Sequence, residues 1–126
     1  MIAVYADKRG EKYRLFVKGH AGVGEKASLV CAAVSALTGA LLTYTRRSPR
    51  CWAKRLLENE GEIYLSCRGG LRGAFDMTLL ALEVLAVSYP ENFYPILREK
   101  EEDGTVRWYN AVGCGAKSVP APYHER

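Results

Sequence analysis

The apolar pattern of residues 28–44 constrains the fold of this chain more than any other feature. Apolar side chains recur there at spacings of four, three, four and three residues. They are Val30, Val34, Leu37, Leu41 and Tyr44. This spacing places them on one face of an α-helix, and that face must pack against another element to leave water. Ser28 precedes the stripe and is a residue type that favours the N-cap of a helix. The sequence therefore predicts a helix over residues 28–44.

Four short segments rich in β-branched and aromatic residues flank this helix in pairs. Residues 2–6 and 13–18 precede it, and residues 51–57 and 62–68 follow it. A polar or glycine-containing turn separates the two members of each pair, which is typical of β-hairpins. The helix is therefore predicted to connect two hairpins.

A second helix and a third hairpin complete the predicted order. The apolar side chains of the second helix are Phe75, Leu79, Leu82, Ala86 and Tyr89. Pro90 ends this helix because proline cannot continue the hydrogen-bonding pattern. Residues 96–101 and 105–110 flank a turn with a glycine and predict two further strands. The order β-β-α-β-β-α-β(-β) indicates an α+β fold in which two helices cover one face of a mainly antiparallel sheet.

The length and composition of the chain favour one globular domain. The 126 residues are 48% hydrophobic and 25% charged, which is ordinary for a globular protein. We predict one domain over residues 1–110 and a loosely ordered tail over residues 111–126. Glu83 interrupts the longest apolar run, and the N-terminus starts with a strand pattern rather than a signal sequence. The predicted location is therefore the cytoplasm, without membrane association.

The cysteines and glycines argue against a metal or a cofactor. The four cysteines form no C-x-x-C pair, and their spacing fits no zinc site, so we predict no metal and reduced thiols. Residues 22–27 match the G-x-G-x-x-A pattern of dinucleotide-binding loops. Such a site needs an acidic residue about twenty positions further on, yet none occurs between Glu25 and Glu58. We therefore predict no cofactor, and assign Gly22 and Gly24 to a flexible loop.

His20 and Cys31 are the candidate site residues. His20 follows the second predicted strand, and Cys31 lies three residues after Ser28, in the first turn of the predicted helix. A thiolate is favoured there because the N-terminal end of a helix is positive. Ser28, Cys31 and Ser35 share a polar stripe that can face a cleft. The alternative is that Cys31 is a small buried hydrophobic residue, the usual role of a free cysteine.

The same stretch resembles the bacterial ribosomal-processing cysteine proteases, the Prp-like family. Their Gly-His-Ala and their apolar run through the cysteine are matched by residues 19–21 and 29–35, and their Tyr-Pro-Glu by residues 89–91. The resemblance implies that His20 and Cys31 are catalytic and that Ser35 and Ser28 support them. The family has an acidic residue three positions before the cysteine, where this chain has Ser28.

Two functional hypotheses follow. The resemblance implies a cysteine endopeptidase, active as a homodimer, that removes the N-terminal extension of large-subunit ribosomal protein twenty-seven during ribosome maturation. The net charge of +4, and the five basic residues and one tryptophan within residues 46–55, leave an alternative open. In it, the chain is a non-catalytic ribosome- or RNA-associated module that contacts RNA through this basic segment.

Overall fold

Two β-hairpins, each followed by a helix, form most of the fold. The computed structural model describes residues 1–99 and 106–109. The helices and strands are β1 (Ala3–Arg9), β2 (Lys12–Lys18), α1 (Glu25–Arg47), β3 (Trp52–Asn59), β4 (Glu62–Arg68), α2 (Arg72–Ser88), β5 (Ile96–Glu99) and β6 (Val106–Tyr109). A short 3-10 helix, Pro90–Asn92, follows α2. The predicted order of elements is therefore confirmed.

All six strands form one sheet in the order β3-β4-β2-β1-β5-β6. Neighbouring strands are antiparallel, except that β5 lies parallel to β1. The mainly antiparallel α+β fold predicted from the sequence is confirmed. The predicted turn between β5 and β6 and the predicted tail over residues 111–126 lie outside the described residues.

The core lies between one face of the sheet and the two helices. Alternate residues of the central strands point into it, because side chains of a strand alternate between the two faces of a sheet. Leu15 of β2, for example, is paired with Ala6 of β1 and with Leu65 of β4, and all three are buried. Val30, Val34 and Leu41 of the predicted α1 stripe are buried, together with Phe75 and Leu82 of α2. Tyr44 is exposed, so its assignment to the buried stripe is wrong, because the helix buries Leu42 and Thr45 at this end instead. Burial of these apolar surfaces holds the two layers together.

The helix α1 begins earlier than predicted, so the assignment of Ser28 as its N-cap is wrong. Gly24 occupies the N-cap position, and Glu25 lies in the first turn, where its negative charge suits the positive end of the helix. Ser28 lies inside the helix, and its hydroxyl donates a hydrogen bond to the carbonyl oxygen of Gly24 at 3.0 Å. Cys31 consequently lies in the second turn of α1 and not in the first. The argument that the helix terminus favours its thiolate therefore fails, because that effect falls off within the first turn.

By length and composition alone, α1 could cross a membrane, with a mean hydropathy of 1.7 in its most apolar window. The packing of α1 in the core also accounts for its apolar composition. Val30, Val34, Leu41 and Leu42 of α1 are at most 6% exposed and belong to the core cluster. A helix that packs against both a sheet and a second helix needs a wide apolar surface.

Two buried thiols lie side by side near the start of β3. Cys51 and Cys67 are both free cysteines, and the pairing of Trp52 with Arg68 brings them next to each other. Burial of the Cys67 thiol, together with the neighbouring Cys51 thiol, raises the pKa of Cys67 to about 12. The neutral thiol is therefore the form that the fold accommodates.

This raised pKa predicts a loss of stability in alkali. Cys67 favours folding below its unfolded pKa of about 8.5, and this contribution is lost as the pH rises towards about 12. The free energy of unfolding, measured by denaturant titrations between about pH 8 and pH 11, should fall less steeply with pH in Cys67→Ala than in wild type. The two slopes should differ by at most one proton, or about 1.4 kcal/mol per pH unit. Thr78→Ala, another small buried truncation, should keep the wild-type slope. Equal slopes in wild type and Cys67→Ala would contradict the prediction.

Candidate active site

The backbone after β2 turns sharply to place His20. Gly19 has a φ of +105°, and a Cβ there would collide with the carbonyl oxygen of Met1. Its N–H donates a hydrogen bond to the carbonyl oxygen of Gly61 at 2.8 Å, which ties this turn to the β3–β4 hairpin. A Cβ on Gly61 would lie 2.7 Å from Nε2 of His20. The imidazole of His20 therefore rests directly against the backbone of Gly61.

Cys31 meets the same segment from the helix side. Its thiol is half-buried, and the backbone N–H of Ala21, the residue after His20, donates a hydrogen bond to its Sγ at 3.3 Å. The carbonyl oxygen of Ala21 accepts a hydrogen bond from Nδ2 of Asn92 at 2.9 Å. The backbone that carries His20 is thus fixed on one side to Cys31 and on the other to the turn after α2.

His20, Cys31 and Ser35 line one cleft of about 280 Å³. The helix α1, the end of β2 and the β3–β4 turn form its walls. Its apolar lining residues are Ile2, Val17, Val34 and Ile63. Within the described residues, the imidazole and the thiol form no direct hydrogen bond with each other. The predicted pair therefore faces a common space large enough for a side chain of a bound molecule.

One wall of the cleft is acidic. Glu58, Glu60 and Glu62, from the end of β3 to the start of β4, all contribute to its lining. Glu58 also forms an exposed ion pair with Arg46, with an N–O distance of 3.5 Å. Carboxylates grouped beside an apolar surface favour a ligand that combines apolar and basic groups.

The other predicted residues lie at different distances from this cleft. Ser35 is on its wall, one helical turn after Cys31. Ser28 is exposed, does not line the cleft, and uses its hydroxyl within the helix. Gly22 and Gly24 lie in an exposed loop and both have positive φ values, which glycine adopts readily. The residues after Gly24 belong to α1, so this loop is shorter than predicted.

Sequence reasoning missed two residues that position the site, Gly61 and Asn92. The pattern predicts Gly61 only as part of a hairpin turn, because it cannot show that a histidine 41 positions earlier rests on it. Asn92 is buried and follows directly after the Tyr-Pro-Glu of residues 89–91. A buried side-chain amide needs hydrogen-bond partners, but the sequence alone does not show that Asn92 is buried. Among the described residues, no group of three or more His, Cys, Asp or Glu side chains could hold a metal ion.

The geometry permits nucleophilic chemistry. The thiol of Cys31 is half-buried at the wall of the cleft, and the hydrogen bond from the N–H of Ala21 fixes the position of its Sγ. An exposed histidine on the adjacent segment can exchange protons with groups bound in the cleft.

Comparison with known protein families also indicates a cysteine protease. Residues 1–94 match the family described as "Cysteine protease Prp". A search of curated proteins found no match.

Solved structures share the fold. The ribosomal processing protease Prp from S. aureus, in complex with a substrate peptide, aligns with a TM-score of 0.64 and 19% identity, over 79% of this chain and 100% of that one. The same protease with a covalently linked product peptide gives a TM-score of 0.60, at 19% identity and the same coverage. SMU.848 from Streptococcus mutans gives 0.57 and 26% identity, over 79% of this chain and 96% of that one. The family match covers three quarters of the sequence, so this chain belongs to the Prp family of cysteine proteases.

Proposed function

We propose that this chain is a cysteine endopeptidase in which Cys31 is the nucleophile and His20 is the general base. The observation that carries this assignment is the hydrogen bond from the N–H of Ala21 to Sγ of Cys31, at 3.3 Å. It fixes the thiol beside the residue that follows His20, in a cleft that both side chains line. A cysteine that only filled space in the core would not need to face a cleft.

The reaction follows the usual chemistry of a thiol and an imidazole. His20 takes the proton of Cys31, and the thiolate attacks the carbonyl carbon of the scissile peptide bond. The imidazolium then protonates the departing amine, which leaves an acyl group on Cys31. His20 next takes a proton from water as the water attacks the thioester, and the thiol is regenerated when the acid product leaves.

The histidine reaches the thiol by a rotation of its side chain. The imidazole lies against Gly61 on one side and is otherwise exposed, so few contacts oppose a change of rotamer. Catalytic hydrogen bonds are often long or absent before substrate binds and form in the complex. The backbone of Gly61 blocks rotation of the imidazole on one side. Closure of the loop formed by residues 22–24 over the peptide is a further part of the proposal.

We also propose that the substrate is a ribosomal protein, and specifically the N-terminal extension of large-subunit ribosomal protein twenty-seven. Prp from S. aureus, which has the same fold, is described as a ribosomal processing protease and was solved in complex with a substrate peptide. The cleft offers apolar side chains beside the glutamates of the β3–β4 turn. An apolar segment that joins a basic ribosomal protein would place its residues against both surfaces. Ribosomes mature in the cytoplasm, so we propose this location for the enzyme.

We propose that the enzyme acts as a homodimer. Four apolar residues of α2, spaced three, four and three apart, are 47–69% exposed. They are Met77, Leu80, Val84 and Val87. An apolar helical stripe of this kind commonly marks a protein interface, and a twofold axis would pair it with the same stripe of a second copy.

Replacement of the two proposed catalytic residues should separate their roles. With a peptide that spans the N-terminal extension of the ribosomal protein, Cys31→Ala should abolish cleavage, because no nucleophile remains. His20→Ala should lower kcat by about 10²- to 10⁴-fold, the range for a positioned general base. Ser28→Ala should retain activity, since its hydroxyl lies outside the cleft. Turnover by folded Cys31→Ala would disprove the assignment, and unchanged turnover by all three variants would assign the activity to other residues.

The support of His20 by Gly61 can be tested with two glycines in equivalent turns. Gly61→Ala and Gly10→Ala both place alanine at a positive φ, so each should lose about 1–2 kcal/mol of stability. Only at Gly61 would the new Cβ meet the imidazole, since no atom lies within 4 Å of the Cβ position at Gly10. Gly61→Ala should therefore lower kcat by about 10- to 100-fold, while Gly10→Ala should not. Equal kcat values would show that Gly61 does not position His20.

The oligomeric state tests the exposed stripe of α2. Leu80→Glu would bury a charge at the proposed interface, so light scattering after size exclusion should show a monomer at micromolar concentrations. Thr43→Glu adds the same charge to an exposed position of α1 and should leave the dimer intact. A monomeric wild-type protein would contradict the proposal, and so would a dimer that tolerates Leu80→Glu.

A further inference from the structure

The sheet has a second face, opposite the helices. Strand partners such as Arg14, Ser66 and Arg55 lie in one row across β2, β4 and β3. They alternate along their strands with the buried core residues, so their side chains point away from α1 and α2. This face differs in character from the catalytic cleft.

A basic hollow of about 200 Å³ opens on this face. Its charged and hydroxyl-bearing lining residues are Lys12, Arg14, Arg55, Arg68, Tyr64 and Ser66. Among the described residues that line it, none is acidic. Four cationic side chains around one depression attract anions, and the two hydroxyl groups can donate hydrogen bonds to them.

The four cations are not equally engaged within the protein. Nε of Arg14 donates a hydrogen bond to Oδ2 of Asp7 at 2.9 Å, which fixes the direction of its guanidinium. Over residues 1–96, the ion pairs found do not involve Lys12, Arg55 or Arg68. These three side chains therefore bring net positive charge to the hollow.

A β-bulge in the edge strand β3 builds one wall of this hollow. Trp52 is paired with Arg68 and Arg55 with Ser66, so the two residues between Trp52 and Arg55 oppose only Cys67. In a regular strand, residues three apart point to opposite faces, whereas the bulge places Trp52 and Arg55 on the same face. Ala53, inside the bulge, has a φ of +52°, a conformation that disfavours non-glycine residues and is frequent at functional sites.

Trp52 extends the hollow with a flat aromatic surface. Its side chain is 53% exposed, and the guanidinium of Arg68 lies 5.6 Å from the centre of its ring. A large aromatic side chain that stays exposed beside several cations is suited to stacking with a planar ligand. Anion attraction and a stacking surface thus occur side by side.

We propose that the basic hollow and Trp52 bind single-stranded RNA, with phosphate groups in the hollow and a base stacked on the indole. An acidic peptide could satisfy the cations but would leave the aromatic surface without a matching planar group. Single-stranded DNA offers the same phosphates and bases. The hydroxyl groups of Tyr64 and Ser66 favour RNA, because they can pair with its 2′-hydroxyl groups.

This assignment revises the idea that residues 46–55 form one RNA-binding segment. Arg46 pairs with Glu58, and Nζ of Lys54 donates to the carbonyl oxygens of Arg46 and Ser48 at 3.2 and 3.1 Å. Lys54 therefore joins the start of β3 to the end of α1, and Arg46 joins the end of α1 to the end of β3. Arg55 lines the hollow, and Trp52 lies beside it.

The hollow and the catalytic cleft open on opposite faces of the sheet. Ile63 of β4 lines the cleft and the adjacent Tyr64 lines the hollow, because consecutive side chains of a strand point to opposite faces. RNA bound in the hollow would therefore leave the cleft free, and would hold the protease on a ribosomal particle while a protein segment enters the cleft.

Binding of a fluorescein-labelled oligouridylate of about twelve nucleotides, followed by fluorescence anisotropy, tests the proposal. The double variant Arg55→Ser with Arg68→Ser should bind at least about tenfold more weakly at low salt, and the slope of log K against log salt should fall by about 1.4. The matched control is Arg47→Ser with Arg50→Ser, which removes the same charge from exposed positions outside the hollow. The control should change the affinity by less than about threefold.

Two further probes separate the chemical sources of the ligand. Trp52→Leu should weaken binding by about tenfold if a base stacks on the indole. An oligodeoxyuridylate of equal length should bind more weakly than the RNA, and inorganic phosphate should compete only at millimolar concentrations. Equal losses in the two double variants would overturn the proposal, as would an unchanged affinity of Trp52→Leu or DNA binding as tight as RNA binding.

A direct map of the contact does not depend on the folding of any variant. Ultraviolet cross-linking of the wild-type protein to the same RNA containing 4-thiouridine, followed by mass spectrometry, should modify peptides that contain Trp52 or Tyr64. Cross-links confined to α2 or to the cleft would refute the assignment, and so would the absence of oligouridylate binding at low salt.

Discussion

The backbone of Ala21 joins three parts of the chain that are distant in sequence, and the cleft depends on it. Its N–H donates to Sγ of Cys31 in α1, and its carbonyl oxygen accepts from Nδ2 of Asn92 after α2. Ala21 is buried, so either group would lose its partner without replacement by water, at a cost of about 1–3 kcal/mol. The thiol and the backbone next to His20 therefore keep their relative position through two hydrogen bonds made by one residue.

The parts of the fold that were predicted correctly are those with local signals. The alternation in the strands and most of the α1 stripe repeat within a few residues, so the sequence reveals them directly. The start of α1 was missed because Ser28 and Gly24 are both acceptable N-cap types, and the choice depends on tertiary packing. Ala27, which is only 4% exposed, packs in the core as part of the first helical turn. The contact between Asn92 and Ala21 spans 71 residues, and no local pattern reports a partner at that distance.

The same two strands that support the cleft also separate the charges of the protein. The turn between β3 and β4 brings Glu58, Glu60 and Glu62 to the catalytic cleft, whereas the opposite face of the sheet carries the basic hollow. The net charge of +4 does not show that acidic and basic residues are grouped in two separate places. Side chains of a strand alternate between the two faces of the sheet, so the sheet itself lies between the two groups. Each surface can therefore attract its own ligand, a basic peptide on one face and an anion on the other.

Asn92 shows how strongly the fold favours this arrangement of the cleft. Its Oδ1 is buried and has no hydrogen-bond partner within the described residues, a state that costs about 1–3 kcal/mol. An apolar residue of similar size would avoid this cost but could not hold the carbonyl oxygen of Ala21. The backbone carbonyl oxygen of Asn92 also accepts a hydrogen bond from the N–H of Ile2 at 2.8 Å, beside the Met1 carbonyl that constrains Gly19. The turn after α2 therefore fixes the histidine segment from both sides. Residues 1–94, the part that matches the protease family, contain this turn and the described residues that line the cleft.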